Sequence, residues 1–434
     1  MGQLSIGIGG VVLLLALLST GTPIGVALGV VGFGGLVLLL GLEPALIKSG
    51  VVLFETLSRY ELGVLPLFLL MAHLCFAANA SRDFFDAAAR VIGHRRGGLA
   101  LASVAACAGF GAISGSSLAT TATIGLVALP EMRQRGYSSA LATGAVAAGG
   151  TLGQMIPPSG ALIIFGIIAE QSIGKLFVAA IVPAITQVLL YCLAILIICH
   201  LRPSIAPPTP RVGWRERRIA LLRVTDLALL ILLVIGGIAL GWFTPPEAAS
   251  VGVVGALALC LWRRRLTWQS LRHALAETLR TSGMVYLVVI GAIIFSVFVS
   301  VTGLAVQVTG LFATVGGGPL AKLLLMALVL LLLGSVLDGL ALMLLTTPIL
   351  LPVIQTMGLS PIWFGIFLVR AMEIGFVHPP IGLNLYVIQQ IAPDVSIGRI
   401  FKGVLPFLAA DFLHLLLLIL LPAMALALPK LLAT

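Results

Sequence analysis

Apolar runs of about twenty residues follow one another along almost the whole chain, and a bundle of membrane-crossing helices accommodates that pattern better than any other fold. A hydrocarbon core of ~30 Å needs about 20 helical residues at ~1.5 Å each. Runs of that kind lie at 4–20, 23–42, 62–80, 138–169, 176–200, 226–243, 247–262, 283–301, 362–391 and 403–428. Only 9% of the 434 residues are charged and 60% are apolar, against roughly 25% charged in a soluble domain. That leaves too little polar surface to face water, so a lipid bilayer must cover most of the molecule. The expected class is an all-α polytopic membrane protein. A cleavable signal peptide is not expected, because no basic segment precedes the first apolar run.

Two further apolar stretches, 97–132 and 319–354, are broken near their middles. Ser114-Gly115-Ser116-Ser117 interrupts the first, and Gly334-Ser335 through Asp338-Gly339 interrupts the second. Each half is too short to span, so each stretch reads as a re-entrant hairpin of two short helices. Non-helical backbone at that depth is tolerated only where protein or a water-filled cavity surrounds it.

The chain also repeats itself. At an offset of 222, Thr22-Pro23 matches Thr244-Pro245, Glu55-Thr56-Leu57 matches Glu277-Thr278-Leu279, and Ala119 matches Ala341. At the same offset of 222, Pro130, Gly136, Ser138 and Gly153 match Pro352, Gly358, Ser360 and Gly375, while Pro157-Pro158 matches Pro379-Pro380 and Gly160 matches Gly382. The offset drifts to 224 at Ser172-Ile173-Gly174, which matches Ser396-Ile397-Gly398. A near-constant spacing over such a distance marks a duplication. The organisation expected is a first repeat over 1–200, a cytoplasmic linker over 201–225 and a second repeat over 226–434.

Charge orients the halves. The net charge of +10 is read as cytoplasmic loops of a membrane protein, not as a nucleic-acid surface. Arg82, Arg90, Arg95 and Arg96 precede the first hairpin and Arg133 and Arg135 follow it, so its open end should face the cytoplasm. The linker from Arg202 to Arg223 and the cluster Arg263-Arg264-Arg265 belong on the same side. Only Lys322 flanks the second hairpin, which should open outward and make the halves inverted copies. Residues 45–59 and 266–280 mix charge with apolar residues and read as interfacial helices.

Four breaks in apolar helix, two per repeat, are the candidate chemistry, because interrupted backbone exposes N–H and C=O groups that can act as ligands. The first is Ser114 to Ser117, with Thr120, Thr121 and Thr123 beyond it. The second runs from Gly149-Gly150-Thr151 to Pro157-Pro158-Ser159, and the third from Gly334 to Asp338. The fourth runs from Gly375 to Asn384 through His378-Pro379-Pro380. Proline withdraws an N–H and frees carbonyls that suit a hard cation. Hydroxyls of Ser116, Ser117, Thr120 and Ser159 could complete an oxygen shell, or they could bond back to helical carbonyls. Arg370 and Glu373, three apart, could pair with each other, or Arg370 could meet an anionic solute. Asp411 and His414, also three apart, read as an internal contact, and His73 as a packing residue.

Enzyme chemistry finds little support. HExxH is absent, as is a Gly-rich phosphate loop ending in Lys and Ser or Thr. Ala112-Ile113-Ser114-Gly115 is a weak match to a membrane serine-protease turn and lacks a His partner. The five cysteines at 75, 107, 192, 199 and 260 show no metal-site spacing, and the Cys199-His200 pair lacks further ligands. No transition metal and no organic cofactor are expected.

Gly109-Phe110-Gly111-Ala112-Ile113-Ser114-Gly115-Ser116-Ser117-Leu118-Ala119-Thr120 resembles the large membrane subunit of the tripartite ATP-independent periplasmic (TRAP) transporters. So do Leu129-Pro130-Glu131-Met132, Arg135-Gly136-Tyr137, Gly150-Thr151-Leu152-Gly153 and Ile156-Pro157-Pro158-Ser159. In the second half, Thr347 to Pro352 and Pro379 to Leu385 match too. The resemblance covers essentially the whole chain. It implies a secondary transporter of the ion-transporter superfamily, in a bacterial inner membrane, with a mobile domain moving as an elevator. It implies uptake of an anionic carboxylate, such as a C4-dicarboxylate or sialic acid, driven by sodium. Its implied partners are a periplasmic substrate-binding protein and a small four-helix membrane subunit, expected here as a separate chain. One sodium site would lie between the tip at Ser114, Ser116 and Ser117 and the break at Gly150, Thr151 and Pro157. A second would lie between the tip at Gly334 and Asp338 and the break at Gly375, His378 and Pro379. Ser159, Arg370 and Asn384 are the candidate substrate contacts. The family commonly has Thr where this chain has His378, which puts the second site's ion preference in question and would admit a proton there. The alternative within transport is a stand-alone sodium/carboxylate symporter of the same superfamily.

Overall fold

A computed structural model describes residues 2–432, and every regular element in it is helical. The first half contains α1 (Gln3–Ser19), α2 (Ile24–Leu40), α3 (Leu42–Ser58), α4 (Val64–Ala77) and α5 (Ala80–Ile92). It continues with α6 (Gly98–Ser114), α7 (Ser117–Gln134), α8 (Ser139–Met155), α9 (Gly160–Ile168) and α10 (Ile173–Leu201). The second half contains α11 (Trp214–Ala239), α12 (Pro245–Trp262), α13 (Trp268–Thr302), α14 (Leu304–Thr314) and α15 (Gly318–Gly334). It closes with α16 (Gly339–Thr356), α17 (Pro361–Val377), α18 (Leu383–Ile391), α19 (Ile397–Leu420) and α20 (Ala423–Leu432). Seven helices are long and apolar enough to cross a membrane among the described residues, or eight if the bent pair α8 and α9 counts as one span. Fewer pass than the apolar runs suggest, because helices such as α1 and α2 stop at 17 residues.

Local chemistry sets the boundaries. Thr244 opens α12 with a capping box, its N–H donating to Glu247 Oε2 at 2.8 Å. Trp262 and Trp268 stand exposed at helix ends beside the Arg263–Arg265 cluster, Trp214 stands exposed at the start of α11, and Trp242 stands exposed beyond its other end. That placement suits aromatic belts at the two membrane surfaces. Many large aliphatic side chains are also exposed along the helix flanks, as lipid contact requires.

Helices α8 and α17 begin and end 222 residues apart, and α7 and α16 begin 222 apart. The recurrence has limits. The segments expected as an interfacial helix at 266–280 and a separate span at 283–301 form one continuous helix, α13, of 35 residues. No glycine or proline interrupts 266–280, so nothing there stops propagation. The expected linker 201–225 is also shorter, since α11 starts at Trp214 and takes in Arg215 to Arg223. What remains lies along the base of the first hairpin: Gly97 N donates to Ala206 O at 3.3 Å, Ser138 N to Ile205 O at 2.8 Å and Thr209 N to Gly93 O at 3.1 Å.

Small residues let helices approach closely where lipid offers no hydrophobic contrast. A Cβ added to Gly25 or Gly32 of α2 would lie 2.8 Å or less from α13 backbone at Leu287 or Phe295. Gly144 of α8 and Gly403 of α19 pack the same way, a Cβ on Gly144 falling 2.1 Å from Gly403 O. Helices α2, α4, α12 and α13 pack as one group, and α6 to α8 with α17 and α19 as another.

Candidate solute and ion site

Both hairpin tips reach one cavity. Ser114 ends α6, Gly115 and Ser116 turn the chain, and Ser117 starts α7. Gly115 takes φ +59°, a left-handed conformation that glycine adopts without strain, and its added Cβ would strike Pro158 O at 2.6 Å. The second tip turns through Ser335 to Asp338, between α15 and α16. A cavity of about 260 Å³ lies between the tips and the wall formed by Leu65, Phe68 and Leu69 of α4 with Val285 of α13. Its polar lining comes from Ser114, Ser116, Gln154 and Asp338, and Pro158, Gly160, Phe376 and Leu383 close it on the break side.

The first tip is stitched to the first break. Gly160 N donates to Gly115 O at 3.3 Å, and Ser117 N donates to Gln154 Oε1 at 3.2 Å. Thr120 Oγ1 donates to Ser116 O at 2.8 Å and lies 2.7 Å from Ser114 Oγ. Ser114 Oγ, Thr120 Oγ1 and Ser116 O therefore cluster beside Pro158 O, a set of hard oxygen donors at the cavity edge. Thr121 Oγ1, one residue further, is buried without a partner. At the second tip Asp338 caps α16, accepting from Leu340 N at 2.8 Å and Ala341 N at 3.2 Å.

The breaks are shorter than expected. Gly149, Gly150 and Thr151 lie inside α8, and Gly375 lies inside α17, so non-helical backbone is confined to 156–159 and 378–382. The glycines instead permit close packing: a Cβ on Gly150 would lie 1.8 Å from Thr121 Oγ1, and one on Gly375 would lie 2.5 Å from Gly334 O. Both Pro157-Pro158 and Pro379-Pro380 are cis.

Several singled-out polar residues lie away from the cavity lining. Ser159 caps α9 and its hydroxyl bonds Gln154 O. Asn384, fully buried, donates to Ser117 Oγ at 2.9 Å and to Ala147 O at 3.0 Å, tying the second break to the first tip. Thr151 Oγ1 donates to Ala148 O at 2.7 Å and sits 3.1 Å from Tyr191 OH. Arg370 pairs with Glu373 at 2.6 Å and with Asp411, all three buried, so its guanidinium does not line the cavity. His414 contacts Thr186 at 2.9 Å and not Asp411, and His378 stands edge-on to Phe412. Gln154 and the α4 wall were missed in the sequence. Gln154 lies within the apolar helix α8, a place where an amide needs partners, and that was the available signal.

A family profile described as "Tripartite ATP-independent periplasmic transporter, DctM component" matches residues 11–424. The chain is 34% identical, over 89% of its length and 91% of the relative's, to a C4-dicarboxylate TRAP transporter large permease protein of Pseudomonas aeruginosa. It is 34% identical, over 86% of its length and 87% of the relative's, to a sialic acid TRAP transporter large permease protein of Vibrio cholerae. Among solved structures, the YdaH transporter of Alcanivorax borkumensis superposes with a TM-score of 0.56 at 16% identity, covering 88% of this chain and 89% of that one. That likeness is one of fold.

Proposed function

The chain belongs to the family of DctM components of tripartite ATP-independent periplasmic transporters, a transporter permease component and not an enzyme, and on that premise we propose that it imports a carboxylate anion together with sodium. The observation that carries this reading is the single cavity on which Ser114, Ser116 and Asp338 converge from both repeats. Its lining holds no Lys or Arg among the described residues. An anion there needs positive potential from elsewhere. The N-terminus of α7, capped by the neutral Ser116, supplies part of it. A sodium ion among Ser114 Oγ, Thr120 Oγ1, Ser116 O and Pro158 O would supply the rest, and a second near Asp338 would meet a carboxylate. Binding of anion and cation then support each other, which is coupling in its simplest form.

The two repeats are read as inverted copies that place both tips near the midplane of the bacterial inner membrane. The group containing α6 to α8, α17 and α19 would move against the group of α2, α4, α12 and α13, carrying the cavity past the α4 wall. Relatives named for C4-dicarboxylate and for sialic acid make a carboxylate the expected cargo. A periplasmic binding protein and a separate small membrane subunit complete the proposed system.

Uptake of radiolabelled succinate and N-acetylneuraminate into proteoliposomes containing both membrane subunits tests this. Transport of one acid should require both an inward sodium gradient and the binding protein. Uptake indifferent to sodium would overturn the coupling, and uptake without the binding protein would favour a stand-alone symporter. Transport of neither acid would overturn the cargo class. Comparing the sodium dependence of uptake by His378→Thr with that of the wild type tests whether this residue sets the ion preference.

A further inference from the structure

A second polar cluster lies deep among α8, α10, α17 and α19, away from the cavity. It comprises Arg370 and Glu373 of α17, Asp411 of α19, Gln187 and Tyr191 of α10, and Thr151 of α8, and each is fully buried at 0% exposure. Arg370 Nη1 donates to Glu373 Oε2 at 2.6 Å and Nη2 donates to Asp411 Oδ1. Gln187 Nε2 donates to Glu373 Oε2 at 3.1 Å, with Thr151 Oγ1 and Tyr191 OH each 3.2 Å from the same nitrogen.

The charges do not balance: one guanidinium faces two carboxylates. The other titratable groups facing the cluster are Tyr191 of α10 and His414 of α19, whose Nε2 lies 2.9 Å from Thr186 Oγ1. Helix α8 contributes only the neutral Thr151, and His378 at the end of α17 lies against Phe412. The bonding is incomplete in the same sense as the charge. Glu373 Oε1, Asp411 Oδ2 and Gln187 Oε1 are buried acceptors with no partner, against one unpaired buried donor, Arg370 Nε. An excess negative charge at zero exposure is expensive, and a native structure rarely leaves such oxygens unpaired.

We propose that this cluster is a proton-binding site, in which Glu373 and Asp411 together hold one proton on an oxygen that Arg370 does not reach. Taking up one proton from water converts one carboxylate to a carboxylic acid, gives the cluster one positive and one negative charge, and creates an O–H donor among the unpartnered acceptors. The proton belongs to the pair, since the guanidinium couples the two carboxylates. The site lies in helices that lead directly into both Pro-Pro breaks, α8 into Pro157-Pro158 and α17 into His378-Pro379-Pro380. Its charge state therefore bears on how those two helices fit together.

Infrared difference spectroscopy of the full-length protein in lipid, titrated with acid and base, tests the site without any substrate. A carboxylic-acid C=O band should be present near neutral pH in the wild type. It should be lost in Glu373→Gln and in Asp411→Asn, since each leaves one carboxylate opposite one guanidinium. Those variants should also melt with less pH dependence than the wild type, which should lose stability as rising pH strips the proton and exposes the excess charge. A wild type without the band near neutral pH overturns the proposal even if neither variant folds. A band near neutral pH that persists in both variants overturns it as well. Stabilisation by sodium chloride that Glu373→Gln abolishes, with no acid band, would assign the compensating charge to a metal cation instead.

Discussion

The first and second halves of this permease use equivalent helices at nearly constant spacing but fill equivalent positions with different electrostatics. At an offset of 222, Ser116 corresponds to Asp338, Ala148 to Arg370 and Thr151 to Glu373, and at 224 Gln187 corresponds to Asp411. The first repeat is neutral at each of these positions and the second is charged. Ser116 caps the positive end of α7 with a neutral hydroxyl, whereas Asp338 places a carboxylate on the end of α16. Helix boundaries thus recur at this spacing, while on the reading proposed above the cavity would have one side that suits an anion and one that suits a cation. Under the proposed function, that difference in polarity is what coupling would draw on.

The comparison breaks most sharply at Arg370. Arg370→Met leaves Glu373 and Asp411 buried without a counter-charge, and loss of one partner from a buried ionic group costs about 3–5 kcal/mol. Thermal unfolding in detergent should show severe destabilisation, whereas Ala148→Ser at the equivalent position should change little. Unchanged melting of Arg370→Met would remove the ionic distinction between the halves.

Two equivalent glycines sharpen the shared geometry. Gly153 and Gly375 are 222 apart, and an added Cβ would lie 2.4 Å from Thr120 Oγ1 in the first case and 2.5 Å from Gly334 O in the second. Alanine at either site should cost about 1–3 kcal/mol through overpacking and depress uptake. A defect at one site alone would show that the hairpins do not pack equivalently on their broken helices.

Asn384 joins the halves directly through Ser117 Oγ and Ala147 O. Asn384→Ala should cost about 1–2 kcal/mol by leaving buried groups unpaired, measured as a fall in melting temperature. A null result would mean that packing alone holds the second break on the first tip.

The smallest effects come from the caps. Asp338→Asn should raise the sodium concentration for half-maximal uptake about fivefold, in keeping with ~1 kcal/mol of end-of-helix electrostatics. Ser116→Asp should instead weaken uptake of the anion by a similar factor. If both substitutions moved the same parameter, the division into an anion side and a cation side would fall.

Much of the architecture was legible in the sequence because apolar length, glycine and proline act locally. The bends at the two Pro-Pro pairs fall where proline forbids continuous helix, and the tips at Gly115–Ser116 and Ser335–Asp338 fall where glycine and capping Ser or Asp residues favour a stop. Gly150 and Gly375 were misread as breaks by the same reasoning, since a glycine that allows a turn and one that allows close helix packing look alike along the chain. Helix α13 absorbed an expected interfacial segment because hydropathy fell there without any residue that stops a helix.

The chain by itself determined that the molecule is an all-helical bundle whose apolar surface suits lipid, and where helix must stop. Only the tertiary structure decided what each polar group does. Arg370, Asn384, Ser159 and Thr151 found partners within the protein, while Ser114, Ser116, Gln154 and Asp338 were left facing a cavity. The physical reason is range. Interruption of a helix depends on residues a few positions apart, but a buried charge or amide is satisfied by partners as distant as the 237 positions between Ala147 and Asn384, and only packing brings those together.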